Sequence, residues 1–79
     1  MSVRLDAEII RLSGPCGAAD AEPLATLLQA KPGRAVDLAD AGHLHAAVVQ
    51  ALLAFRPPIA AAAGDPFTRA WLIPLLDRR

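Results

Sequence analysis

The stretch Leu24-Ala25-Thr26-Leu27-Leu28-Gln29-Ala30-Lys31-Pro32-Gly33-Arg34-Ala35-Val36-Asp37-Leu38 places a helix, its stop and a strand in immediate succession. Leu24, Leu27 and Leu28 stand at i, i+3 and i+4, which makes one apolar stripe at the helical period. Just upstream, Asp20-Ala21-Glu22-Pro23 has the marks of a helix start. A cap residue is followed by acidic charge in the first turn and by a proline where no backbone N–H is needed. Lys31, Pro32 and Gly33 close the helix. Arg34 to Asp40 is then short and apolar at Val36 and Leu38, which predicts a strand buried in a sheet.

Working outward toward the amino end, Leu5-Asp6-Ala7-Glu8-Ile9-Ile10-Arg11-Leu12 mixes alternation with two adjacent isoleucines. It predicts one strand, or two short ones turning near Asp6. Ser13-Gly14-Pro15-Cys16-Gly17 reads as a break, because its glycines and proline favour turn geometry. Toward the carboxyl end, Asp40-Ala41-Gly42 is expected to turn the chain into a second helix running to about Phe55. Leu44, Val48, Ala51 and Phe55 would share one face of it, broadened by Val49, Leu52 and Leu53. A helix this apolar is expected to be largely covered. Pro57 and Pro58 end it. Ile59 to Ala63, between Pro58 and Gly64, is read as a third inner strand. Asp65-Pro66 then opens a helix with Phe67, Ala70 and Trp71 on one side, and Pro74 kinks or ends it.

Strand and helix thus alternate along the chain, which predicts an α/β fold. The expected architecture is a single domain over residues 1–79, with a small mixed or parallel sheet of three to four strands and helices packed on it.

Composition narrows the function classes. The 79 residues carry eight basic and eight acidic side chains, so the formal net charge is zero. No basic stripe is available to displace counterions from phosphates, which argues against a nucleic-acid partner. The amino-terminal residues lack the apolar run of a secretory signal. No uncharged stretch, the alanine-rich one near Ile59 included, reaches the ~20 apolar residues of a membrane span. A cytoplasmic location is therefore expected, and the single cysteine, Cys16, suits a reducing compartment. One cysteine permits no intrachain disulfide, and with only His43 and His45 it falls short of a closed zinc site. A chain of this size has a small core, so self-association or docking on a larger partner is the expected compensation.

These residues resemble the STAS domain, the fold of bacterial anti-sigma-factor antagonists and related regulatory modules. The resemblance runs from about Ile9 to Leu76. Gly14 ends the first strand, Ala21, Leu24 and Leu28 fall at the family's helix positions, and Val36-Asp37-Leu38 matches its central strand. Gly64-Asp65-Pro66 is similar to the turn before its next helix. The resemblance implies a non-catalytic protein-binding module acting through the loop and helix after the central strand. In the family that loop reads Asp-Ser-Ser/Thr-Gly, and its first hydroxyl accepts a phosphate in the switchable members. Here the motif falls on His45-Ala46-Ala47-Val48, which offers no hydroxyl. The chain also lacks room for the family's last strand and helix. The resemblance is thus to a minimal member without the phosphorylation switch.

The candidate partner-binding residues are Asp40, Gly42, His43, His45 and Ala46 in the loop, with Phe67 and Trp71 in the carboxy-terminal segment. His43-x-His45 would share a face in a strand, but at a helix start the two point about 200° apart and cannot share a metal. No catalytic, metal or cofactor residue is assigned. Cys16 sits near Asp20 and Glu22, which oppose a thiolate. Asp37 and Asp40 are expected to serve solvation and capping. Bulky Phe67, Trp71, Ile73, Leu75 and Leu76 exceed what a small sheet readily covers, so an exposed remainder would mark an interface. The expected function is binding of another protein. The alternatives are a structural homo-oligomer or a small subunit of a larger assembly, and then a metal-binding protein or enzyme.

Overall fold

The computed structural model describes residues 2–61, 66, 70–72 and 74. The fold is α/β. A four-stranded mixed sheet runs in the order β1 (Val3–Asp6), β2 (Ile9–Leu12), β4 (Ala35–Asp37), β6 (Ile59–Ala61). Strands β3 (Gly14–Cys16) and β5 (Ala41–Leu44) form a separate two-stranded parallel sheet. Helix α1 (Ala21–Ala30) follows β3, and helix α2 (Ala46–Phe55) follows β5.

The amino-terminal segment is two strands, the second of the alternatives its pattern allowed. They pair antiparallel across a turn at Ala7, whose φ is 55°. β2 then pairs parallel with β4, and β4 with β6. Val3, Ile10, Leu12, Val36 and Leu38 are buried, alternating along their strands with exposed or half-buried Arg4, Arg11 and Asp37. Leu24 and Leu28 of α1 and Val48, Val49 and Leu52 of α2 belong to the same core. The predicted α1 stripe and the inner strand at Val36 are present. A strand also forms at Ile59, but β6 (Ile59–Ala61) pairs with β4 alone among the described residues and is the outer strand of its sheet, not an inner one.

Four local expectations change. The segment read as a break, Gly14–Cys16, is a strand, because β5 supplies a parallel partner for its backbone. Ala41–Leu44 is that partner, so the second helix begins at Ala46 and not near Gly42. Asp20 occupies the position before α1, but its carboxylate accepts from Gly17 N–H at 2.8 Å and makes no cap bond to the helix. A 3-10 turn over Ala18–Asp20 leads into the helix. Helix α2 is also less covered than its composition suggested. Ala46, Gln50 and Ala54 are exposed, and Phe55 is 42% exposed where the helix ends at left-handed Arg56.

Of the carboxy-terminal segment, Pro66, Ala70, Trp71, Leu72 and Pro74 are helical, so the helical conformation includes Pro74. Leu72 is fully buried in the core and Trp71 packs partly against it. Phe67, Ile73, Leu75, Leu76, Gly64 and Asp65 lie outside the described residues. No helix among the described residues is long and apolar enough to cross a membrane.

Candidate protein-binding site

Backbone bonds to β3 tie down both ends of β5, up to the junction with α2. Gly14 N–H donates to the Asp40 carbonyl at 2.8 Å, and His45 N–H donates to the Cys16 carbonyl at 2.8 Å. Gly42 lets the two strands lie close together. A Cβ there would stand 3.3 Å from the backbone of both Gly14 and Pro15, closer than side chains ordinarily pack, so any larger residue would have to push the two strands apart by a few tenths of an ångström. Gly42 therefore packs inward on β3, and Asp40 contributes its carbonyl to the same joint.

His43 is exposed on β5, and His45 is the residue before α2. The pair do not open a helix together, as the sequence pattern implied. His45 has extended backbone, and its Nδ1 accepts from Ala47 N–H at 3.0 Å. This bond satisfies one of the free N–H groups at the start of the helix. It also commits Nδ1 as an acceptor, so the ring proton of the neutral tautomer sits on Nε2. Ala46, the first helical residue, is exposed, and Ala47 is half-buried.

An apolar cleft of about 390 Å³ opens at this junction, lined by His43, Leu44, Ala46, Val49, Gln50 and Trp71. Loop and carboxy-terminal segment, separate candidates in the sequence, thus meet on one surface. His43, Ala46 and Trp71 are brought together there. Asp40, Gly42 and His45 support the junction from outside the cleft lining, and Phe67 lies outside the described residues. The sequence reading missed Leu44, Val49 and Gln50. One signal was available. Gln50 is the single polar residue of α2 and follows Ala46 by one helical turn, which puts both on the same side.

The groups with chemical potential are committed elsewhere. Cys16 is buried, its thiol donates weakly to the Gly14 carbonyl at 3.4 Å, and desolvation together with the charge of Asp20 pushes its pKa up. Asp37 pairs with Arg11 Nη1, and its other oxygen accepts from Ala39 N–H at 2.8 Å. Arg11 Nε also reaches Asp6 at 3.1 Å. Among the described residues, no group of three or more His, Cys, Asp or Glu side chains is placed to hold a metal ion. Compared with protein-family models, with curated proteins and with solved structures, the chain matches none.

Proposed function

We propose that this protein is a non-catalytic module that binds another protein through the amino-terminal end of α2 and the cleft beside it. The observation that carries the reading is the junction itself. The bonded β5–α2 junction presents exposed His43 and Ala46 next to half-buried Trp71, around a largely apolar hollow with no Asp, Glu, Lys or Arg among the described residues of its lining. Apolar pockets with an aromatic wall and a polar rim suit a partner's anchoring side chain. The commitments of Cys16, Asp37 and His45 to burial, ion pairing and capping favour binding over catalysis. The order of strand, helix, the strand at Val36-Asp37, the short strand β5 and an apolar helix is compatible with the STAS resemblance as the setting for this role. With alanines at 46 and 47, binding on this reading is constitutive or regulated other than by a loop phosphate.

Ala46→Asp tests the proposal. Ala46 is exposed at the first helical position, where a carboxylate is favourable by about 0.3–1 kcal/mol through the helix dipole. Desolvated at an interface, the same charge costs several kcal/mol. The variant is expected to melt at or above the parent temperature. Its binding to proteins that the tagged parent captures from native lysate should be at least about tenfold weaker, a loss of about 1.4 kcal/mol. Equal capture by parent and variant would remove this surface from consideration. A collapse of thermal stability would show that Ala46 packs inside.

A further inference from the structure

We propose that β1 is a self-recognition edge, at which two copies of the chain join antiparallel, centred on Leu5, to make one continuous eight-stranded sheet. β1 is the outer strand of the four-stranded sheet, and Leu5 on it is 38% exposed. The strand has neither proline nor lysine, two of the usual devices that discourage edge pairing.

The backbone fixes which residues face outward. Ser13 N–H donates to the Ser2 carbonyl at 2.8 Å, and β1 and β2 pair in the register Arg4↔Arg11 and Asp6↔Ile9. Hydrogen-bonded pairs alternate in an antiparallel ladder, so Ser2, Arg4 and Asp6 point their backbone groups at β2. Val3 and Leu5 therefore direct their N–H and C=O away from β2, to an edge that no other strand among the described residues covers. A second β1 that satisfies them must place odd-numbered residues opposite odd-numbered ones.

Charge then selects among the allowed registers. With Leu5 opposite Leu5 of the second copy, Arg4 stands opposite the second copy's Asp6, and Asp6 opposite its Arg4. Both are non-hydrogen-bonded positions, where side chains come closest, with Cα atoms about 4.5 Å apart. A slip one way puts Arg4 against Arg4, and a slip the other way puts Asp6 against Asp6. A further slip toward the amino end puts Arg4 against Ser2. Among the residues of β1 itself, only the Leu5-centred register pairs opposite charges twice, without setting like charges opposite each other, and it is two-fold symmetric. It also supplies what the single chain lacks. Arg4 sits directly across from Arg11, and among the described residues it has no ion pair. On the helix-bearing face, Val3 borders an open hollow of about 460 Å³ that it shares with Glu22, Pro23, Thr26 and Leu27 of α1. Two copies of that rim would meet where the two Leu5 side chains abut. A joint of this length buries less than the ~1,200 Å² of a standard stable interface, so the association is expected to be weak and concentration-dependent.

Exchange of charge tests the register. In a homodimer, Arg4→Asp sets the introduced carboxylate against the second copy's Asp6, and Asp6→Arg sets the introduced guanidinium against the second copy's Arg4. Each variant alone should sediment as a monomer at concentrations where the parent is dimeric, with an unchanged circular dichroism spectrum. Mixed in equal amounts, the two variants present complementary charges at both positions and should recover the dimer. Amide hydrogen exchange in the parent gives an independent measure should a variant fold poorly. Protection at the Leu5 N–H should rise with protein concentration, while that at Arg4 stays constant. A parent that remains monomeric up to its solubility limit, a mixture that stays monomeric, or Leu5 protection independent of concentration would each overturn the proposal. Dimeric single variants would also overturn it and place self-association at another surface.

Discussion

At the scale of single residues, Cys16 is governed by its surroundings more than by its nucleophilic potential. It is 1% exposed, and desolvation and Asp20 hold its thiol above the ordinary 9.0. In the unfolded chain the thiol ionises near that ordinary value, whereas the fold keeps it protonated to higher pH. Its contribution to stability is therefore fully present below pH 9.0 and is lost as pH rises through the raised folded value. The chain has no tyrosine, and Lys31 is its single lysine, so few other side chains titrate in that window. Urea midpoints measured from pH 8 to pH 11 should fall for the parent and fall less for Cys16→Ala. Identical slopes for the two proteins would show that the thiol is not the group responsible. The same burial predicts slow reaction with thiol reagents until the protein unfolds.

Among the elements, the joint between β3 and β5 is the most sensitive to small changes. Gly42→Ala would set a Cβ 3.3 Å from the Gly14–Pro15 backbone, and neither strand has a flexible side chain at that point to give way. Overpacking of this kind typically costs about 1–3 kcal/mol. The variant is expected to melt several degrees lower, and His45, held through Cys16, should lose protection of its N–H in hydrogen exchange. An unchanged melting temperature would mean that the two strands separate at little cost. The same joint marks where sequence patterns stop being informative. Helix α1 is readable because Leu24, Leu27 and Leu28 repeat within one element, and its stop is encoded by adjacent Pro32 and Gly33. β3 carries Gly14 and Pro15, which locally favour a turn. It is a strand only because Ala41–Leu44, far along the chain, pairs with it. The same distant pairing keeps His43 and His45 off the helix that the local pattern assigns them. The cleft is legible only in halves, since whether Trp71 lines the same hollow as the α2 amino end depends on how the segments pack.

For the molecule as a whole, the carboxy-terminal segment belongs to the core as well as to the surface. Trp71 is half-buried against the core cluster while it walls the cleft, and Leu72 is wholly buried with Ile10, Leu24, Leu38 and Leu52. An isolated core of this size supplies only about 3–5 kcal/mol of net stability. Replacing a buried leucine by alanine removes about 2–5 kcal/mol, which is comparable with the whole. Leu72→Ala should therefore shift the urea midpoint strongly downward, with a sizeable unfolded fraction in water at 25 °C. Trp71→Ala, which truncates a side chain that is only partly covered, should destabilise less and chiefly weaken partner capture. The two substitutions separate the segment's roles, since adjacent helical residues point about 100° apart and only one of them reaches the cleft lining. If Leu72→Ala melts like the parent, the segment is not part of the cooperative core. Trp71 would then be a dispensable attachment, and the cleft it walls would be too loosely held to present a fixed surface to a partner.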